Sequence, residues 1–163
     1  MEFLEFLEQT GLATFIRESS SFLAFPTFLC VHTLGLSLLV GANVVVAVRV
    51  LGVAGSIPLQ PLERLFPFMW LGFILSVLSG AGLAIAKATT LVLNPILLVK
   101  LVLIAVAMPL VWLMEKKVFR NPDGFKEAER RDGKIMAAAL LVLWVAVMIA
   151  GRLIAYSATI LGT

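Results

Sequence analysis

Residues 94–114 read NPILLVKLVLIAVAMPLVWLM, an apolar run whose only charged side chain is Lys100. A helix that crosses the hydrocarbon core of a bilayer needs about 20 mostly apolar residues, and this stretch supplies them. Asn94 and Pro95 are typical of a helix start, because asparagine caps free backbone N–H groups and proline is tolerated at the first helical position. The stretch therefore predicts a transmembrane helix that begins at residue 95.

Three further stretches have the same character, and together the four predict an all-α integral membrane protein built as a four-transmembrane-helix bundle. The predicted spans are residues 22–48, 67–86, 95–114 and 135–156, within a transmembrane domain of residues 21–163. The composition agrees, because 61% of the 163 residues are hydrophobic and 14% are charged, with a mean hydropathy of +1.05. Soluble domains have roughly 45–50% apolar and about 25% charged residues, so the composition excludes a water-soluble globule.

The first twenty residues differ from a signal peptide because they lack a basic leader. Glu2, Glu5 and Glu8 recur at three-residue spacing beside apolar side chains. This pattern predicts a short amphipathic helix in the membrane interface over residues 1–20, with a frayed tail as the alternative.

Lysines and arginines concentrate in the connections on one side of the four predicted spans. The loop of residues 115–134 contains seven, and Arg49 and Arg64 lie on the same side, whereas the other side has Arg17 and Lys87. Basic loops stay in the cytoplasm, so both termini are expected outside it, in a multi-pass protein of the bacterial inner membrane. The net charge of +3 then indicates anionic lipid headgroups as partners of this loop rather than nucleic acid.

Three ionisable residues, His32, Lys100 and Arg152, lie inside the predicted spans. A lysine or arginine near the centre of a span costs about 2.5–3.5 kcal/mol and usually faces the bundle interior or a cavity. With a helical rise of about 1.5 Å per residue, all three fall in the outer half of the bundle, with the two cations above the imidazole. This arrangement predicts a pocket for an amphiphilic, dianionic ligand that contains a metal.

Haem b fits such a pocket. His32 would be the axial ligand of the iron, and Lys100 and Arg152 would pair with the two propionates. The chain has a single histidine and a single cysteine, Cys30, which excludes a disulfide framework and any site that needs two histidines from one protomer.

The surroundings of His32 add four candidate residues. Gly35 and Gly80 are expected to leave space for the macrocycle between helices. Tyr156 could donate a hydrogen bond to a propionate, and Met148 could be the sixth iron ligand, although ordinary packing of Met148 is the alternative. His32 could instead form only a helix-to-helix hydrogen bond, and both cations could extend to the interface and bind lipid phosphate.

Three short segments carry a resemblance to known membrane proteins: VHTLGL at 31–36, NP at 94–95 with LVKL at 98–101, and AGRLIAY at 150–156. They resemble an uncharacterised family of small four-helix bacterial membrane proteins. More distantly, the chain is similar to the copper-resistance D domain and to the bacterial membrane protoporphyrinogen oxidase of haem synthesis. In the oxidase family a histidine of the first helix and a lysine of the third are functional and haem b is bound, which implies such roles for His32 and Lys100. Arg152 belongs to the pattern of the uncharacterised family only.

These observations favour a cytochrome b-like haem protein that serves electron transfer or haem sensing. A single haem needs a neighbouring cofactor for electron transfer, so a homo-oligomer or a larger membrane redox complex is the expected partner. The alternatives are a porphyrinogen-oxidising membrane enzyme, a copper-transport protein in which His32 and Met148 act as transient copper ligands, and an accessory subunit of a larger membrane complex. Whether the protein is an enzyme stays open at this point.

Overall fold

The structure is a computed structural model that describes residues 2–18, 24–92, 94–121 and 131–160, and every regular element among them is helical. In chain order the helices are α1 (Glu2–Glu8), α2 (Gly11–Glu18), α3 (Ala24–Val50), α4 (Phe66–Ala86), α5 (Ala88–Leu91), α6 (Pro95–Met114) and α7 (Arg131–Ile160). A 3₁₀ helix, Gln60–Leu65, precedes α4, and a π-helical turn, Glu115–Phe119, extends α6.

Helices α3, α4, α6 and α7 are long and apolar enough to cross a membrane, with mean hydropathies from 2.0 to 2.7. The predicted all-α bundle with four transmembrane helices is confirmed, and the chain is a multi-pass membrane protein. The start of α6 follows the sequence pattern: the Asn94 side chain accepts a hydrogen bond from the Ile96 backbone N–H at 2.9 Å, and Pro95 is the first helical residue.

The bundle consists of two helix pairs, α3 with α4 and α6 with α7, which are joined mainly by the packing of α3 against α7. Two glycines bring α3 and α4 together. A Cβ atom placed on Gly72 would lie 2.6 Å from the Gly35 carbonyl oxygen, and a Cβ atom on Gly35 would lie 2.9 Å from the Gly72 carbonyl oxygen. Because no side chain fits at either position, the two backbones touch directly, as small residues allow in membrane helix pairs.

The bundle has two halves that differ in the size of their buried residues. The large-residue half contains the C-terminal part of α3 and α6 and the N-terminal part of α4 and α7. Its core includes Trp144, Phe66 and Met69, which are almost completely buried. Helix α6 contributes four buried residues to this half, Ala107, Met108, Val111 and Met114.

The small-residue half comprises residues 24–37, 76–86, 95–104 and 148–160. Its buried residues, among those described, are all small: Gly35, Ser76, Ser79, Gly82, Ala86 and Ala150. Helix α6 has no buried residue here, and its inward positions, such as Lys100 and Leu103, are only half-buried. Helix α6 therefore contributes no fully buried side chain to this half.

The N-terminal segment forms two short helices, α1 and α2, rather than the single amphipathic helix predicted over residues 1–20. Helix α2 buries Ala13 and Ile16, and the Ile16 side chain reaches the surface of α4 beside Gly82. Glu8 of α1 accepts hydrogen bonds from the backbone N–H and the hydroxyl of Thr89, at 2.8 and 2.6 Å. The apolar face of this segment thus packs on the protein at the end of the small-residue half.

The connection between α6 and α7 is shorter than the predicted loop of residues 115–134. The π-helical turn continues α6 to Phe119, and α7 already begins at Arg131. Residues 122–130, which carry part of the predicted basic loop, lie outside the described residues. Glu115, the first residue of the π-helical turn, is buried. Its carboxylate forms an ion pair with Arg120, which directly follows the turn.

Candidate functional site

His32 lies on α3 with its imidazole directed at α4, in the small-residue half. Nδ1 lies 3.0 Å from the backbone carbonyl oxygen of Ser76 and 3.2 Å from the hydroxyl oxygen of Ser79. A carbonyl oxygen can only accept a hydrogen bond, so Nδ1 must be the protonated nitrogen that donates. In the neutral ring this tautomer leaves the lone pair on Nε2, the nitrogen that a metal would bind.

Ser79 and Gly80 complete the contact between the imidazole and α4. The Ser79 hydroxyl donates to the Leu75 carbonyl oxygen at 2.5 Å, which leaves its oxygen lone pairs to accept from Nδ1 of His32. A Cβ atom on Gly80 would lie only 3.0 Å from Cε1 of His32. The glycine therefore allows the ring to lie directly against the helix, so the space at Gly80 is taken by His32 itself, whereas Gly80 was expected to leave space for a macrocycle.

Lys100 of α6 contacts α7 in the same half of the bundle. Its Nζ lies 3.5 Å from the position that a Cβ atom of Gly151 would occupy, so the half-buried ammonium lies across the surface of α7 at this glycine. His32 and Lys100, the two residues that the resemblance singles out, thus lie in the same half of the bundle, with His32 directed at α4 and Lys100 at α7.

Three other predicted site residues share a different surface. Met148, Arg152 and Tyr156 follow one another at intervals of four on α7, and all three are exposed, Met148 to 56% and Tyr156 to 61%. The buried face of α7 passes instead through Val147 and Ala150. Depth along the helix suggested these residues, but the rotation of α7 turns them away from His32.

Gly35 has a different role from the one expected. It was expected to leave space for a macrocycle, but α4 fills that space: a Cβ atom on Gly35 would lie 2.7 Å from the Ser76 hydroxyl oxygen. This hydroxyl oxygen is buried and has no hydrogen-bond partner among the described residues. Gly35 is therefore a packing residue of the α3–α4 pair.

Sequence reasoning did not identify Ser76, Ser79 or Gly151 as site residues. Ser76, Ser79 and Gly80 occur at positions i, i+3 and i+4 on α4, so they lie on one helix face. A cluster of small and polar residues on one face of a membrane span was the signal that could have found them.

The donor set limits which metal species could bind. His32 is the only histidine of the chain, and Cys30, two residues away, is exposed. Within the described residues, no three His, Cys, Asp or Glu side chains converge to hold a metal ion. A bare metal ion would find one imidazole nitrogen here, which is too few ligands to hold it. A metal that is already coordinated by a macrocycle needs only one further nitrogen from the protein.

No protein-family model matches the sequence, and neither a curated protein nor a solved structure matches it. Function is therefore proposed from the geometry of the described residues, and the family resemblance stays a hypothesis.

Proposed function

We propose that the protein binds haem b in the small-residue half of the bundle, with Nε2 of His32 as an axial ligand of the iron. The observation that carries the proposal is the hydrogen bond from Nδ1 of His32 to the Ser76 carbonyl oxygen. Histidines that ligate metals typically donate their other ring N–H to a carbonyl or carboxylate, which fixes the tautomer and the ring orientation. His32 has this arrangement before any ligand is considered.

Lys100 is the cation best placed to pair with a propionate. It lies in the same half of the bundle as His32, it is half-buried, and its ammonium lies on Gly151 of α7. Arg152 follows Gly151 on the exposed face of α7 and is turned away from His32, so it would pair with a second propionate only if its long side chain extended around the helix at the membrane surface. Tyr156, one turn further, would add a hydrogen bond at the same surface.

The low burial of α6 supports the choice of this half. Glycines at positions 80 and 151 flank His32 and Lys100, and the inward face of α6 between residues 95 and 104 contains no buried residue. A macrocycle would have to lie along this face of α6, in contact with His32. Met148 faces outward, so the proposal gives the iron one protein ligand, His32.

When bound, haem b supplies a one-electron iron couple or a site for a small gaseous ligand. The role of the chain is to position His32 through Ser76 and to hold carboxylates with Lys100 and Arg152. We propose electron transfer or haem sensing as the function, with a homo-oligomer or a larger membrane redox complex as partner. A porphyrinogen-oxidising role would use the same residues to hold a porphyrinogen.

Copper is the second candidate cofactor, and the geometry supports it less. A transport site would need His32 and Met148 to act together, and their side chains lie on different surfaces. We therefore propose haem b rather than copper as the cofactor.

We propose the bacterial inner membrane as the location, with both termini outside the cytoplasm. The described basic residues Arg49, Arg64, Lys116, Lys117, Arg120, Arg131 and Lys134 all lie at one end of the bundle, whereas Lys87 lies at the other. The end with more lysines and arginines is the cytoplasmic one by the positive-inside rule. Reporter fusions at residue 163 and in the 122–130 segment should report opposite sides of the membrane.

The deciding experiment is an absorption spectrum and metal analysis of the protein purified in mild detergent. We expect a Soret band and stoichiometric iron. His32→Ala should abolish the band, and added imidazole should restore it by occupying the space that the side chain leaves. Thr33→Ala, an exposed change one residue away, is the matched control and should leave the spectrum unchanged.

A structural role of His32 gives a different result. If the histidine only joins α3 to α4 through Ser76 and Ser79, the wild-type protein is colourless, and His32→Ala lowers stability without any spectral change. Iron-free, colourless protein with full stability in detergent would refute the haem proposal. Lys100→Gln should weaken haem retention, whereas Lys87→Gln at the end of α4 should not.

A further inference from the structure

A groove of about 1410 Å³ lies between the start of α4 and the end of α6, at the end of the large-residue half. It exists because the two helix pairs are joined mainly through α3 and α7, so α4 and α6 diverge on the opposite side of the bundle. One wall comes from the 3₁₀ helix and the first turns of α4, and the other from the last turn of α6 and the π-helical turn. This groove is far along the bundle axis from His32 and is not part of the proposed haem site.

The groove combines apolar walls with an excess of positive charge. Its cationic lining residues are Arg64, Lys116, Lys117 and Arg120, and its acidic ones are Glu63 and Glu115. Glu115 is already used, because Arg120 pairs with one of its oxygens and the Trp70 indole N–H donates to the other at 3.4 Å. Arg64 and Lys117 are exposed and form no ion pair within the described part of the chain.

Two tryptophans place the groove at the level of lipid headgroups. Trp70 and Trp112 line opposite walls, and the Lys116 ammonium lies 5.1 Å from the centre of the Trp112 ring. Tryptophans concentrate where the ends of membrane spans meet water, since the indole is amphipathic. The third tryptophan of the chain, Trp144, is buried in the core and lies outside the groove.

We propose that this groove is a binding site for one anionic phospholipid. The headgroup phosphate would be held by Arg64 and Lys117, and the first acyl carbons would lie along Pro67, Trp70 and Trp112. The site differs from a general attraction of a basic loop to the membrane, because it includes Arg64, which precedes α4, and two indoles from separate helices.

A phospholipid suits the groove better than a soluble anion or a peptide. The groove opens at the ends of two membrane spans, so its occupant must present charge at the interface and apolar groups below it. Trp112 is 50% exposed, and the exposed side chains of Ile74 and Val77 follow Trp70 along α4 at helical spacing. A soluble phosphate would use the cations but would leave this apolar wall uncovered.

The test uses the tryptophans as local reporters. The full-length protein is reconstituted in vesicles of phosphatidylcholine with a minor fraction of phosphatidylglycerol, and one lipid at a time is brominated on its acyl chains. Bromine quenches a nearby indole, so stronger quenching by brominated phosphatidylglycerol at equal mole fraction reports local enrichment of the anionic lipid. Because both lipids are compared on the same protein, any internal quencher affects both measurements equally.

Two double variants remove two charges each from the same end of the bundle. Arg64→Gln with Lys117→Gln changes the groove, and Arg131→Gln with Lys134→Gln changes the exposed start of α7, which does not line it. Since one basic residue near an anionic surface contributes several-fold to binding, the groove variant should lose roughly tenfold of the preference for phosphatidylglycerol. The control variant should retain it, and circular dichroism should show both folded.

Three outcomes would overturn the proposal. Equal quenching by the two brominated lipids in the wild-type protein would show no site. An equal loss of preference in both double variants would indicate general surface charge rather than the groove. Removal of the preference by excess inorganic phosphate, with sulfate as the ionic-strength control, would assign the groove to a soluble phosphate ligand. None of these outcomes bears on His32 or the haem proposal.

Discussion

The same four helices build two halves of one bundle with different side chains. In the large-residue half, Trp144, Phe66 and Met69 fill the space between helices, whereas every buried residue of the small-residue half is glycine, alanine or serine. Packing of large side chains supplies stability in a membrane protein, where helices gain little from the hydrophobic effect. Glycines and polar groups supply close approach and hydrogen bonds. The large-residue half therefore supplies most of the packing of large side chains, and the small-residue half is where the proposed haem site lies.

The largest expected effect belongs to the large-residue half. Trp144→Ala should lower the free energy of unfolding by about 3–5 kcal/mol, because it leaves a cavity at a position that is 1% exposed. The measurement is unfolding in increasing dodecyl sulfate followed by circular dichroism.

Two variants serve as controls for Trp144→Ala: a milder change at the same position and the same change at an exposed tryptophan. Trp144→Phe keeps most of the ring and removes an indole N–H that has no hydrogen-bond partner among the described residues, so it should cost clearly less. Trp112→Ala, at a half-exposed position, should also cost little. If Trp112→Ala were as damaging as Trp144→Ala, burial in the core would not explain the loss of stability.

How far the sequence predicted this fold can be judged from the same residues. Runs of apolar residues fix where spans lie, so the boundaries of α6 and α4 were predicted within one residue. The pairing of α3 with α4 depends on contact between Gly35 and Gly72, which are far apart in the chain, and no local pattern encodes such a contact. The break between α1 and α2 has a local signal that was missed: the Thr10 hydroxyl donates to the Leu7 carbonyl oxygen and accepts from the Ala13 backbone N–H.

The sequence predicted how deep the site residues lie in the membrane but not which way their side chains point around each helix axis. The rise per residue placed His32 and Lys100 in the outer half of the bundle, with Lys100 nearer the membrane surface, and both lie in the small-residue half. Met148 was placed at a depth close to that of His32, but depth says nothing about the direction of a side chain around the helix axis. Direction depends on which face of α7 packs on α3 and α6, which is a property of the assembled bundle.

Contact between α3 and α4 gives the second prediction. Gly72→Ala should destabilise the protein by about 1–3 kcal/mol, since the new Cβ atom would lie 2.6 Å from the Gly35 carbonyl oxygen and force the helices apart. The same dodecyl sulfate titration measures it. Gly41→Ala is the matched control, because no atom lies within 4 Å of its Cβ position, and an effect equal to that of Gly72→Ala would argue against glycine-mediated packing.

The N-terminal helices give a smaller and local prediction. Glu8→Ala removes the carboxylate that accepts two hydrogen bonds from Thr89, so it should weaken the docking of α1 by about 1–2 kcal/mol. Hydrogen exchange should rise in α1, α2 and α5 and stay unchanged in α6 and α7. Glu5→Ala, at an exposed position of α1, should change none of these rates. A change that extended through the whole bundle would mean that the N-terminal helices are part of its core.

The smallest expected effect on stability carries the sharpest information about the small-residue half. Because His32 is the only histidine, nitrogen NMR of histidine-labelled, haem-free protein contains one imidazole. At a pH where the ring is neutral, the hydrogen bond to the Ser76 carbonyl oxygen requires a protonated Nδ1 and an unprotonated Nε2. Ser79→Ala should keep this tautomer, because the Ser76 carbonyl oxygen remains, and should cost at most about 1 kcal/mol.

Gly80→Ala should displace the imidazole ring and shift both nitrogen resonances, since the new Cβ atom would lie 3.0 Å from Cε1 of His32. Gly151→Ala is the control, because it adds only an ordinary contact with Lys100 and should leave both resonances in place. A protonated Nε2 in the wild-type protein would mean that the nitrogen proposed to bind iron is a hydrogen-bond donor, and the small-residue half would then be a packing arrangement without a prepared ligand.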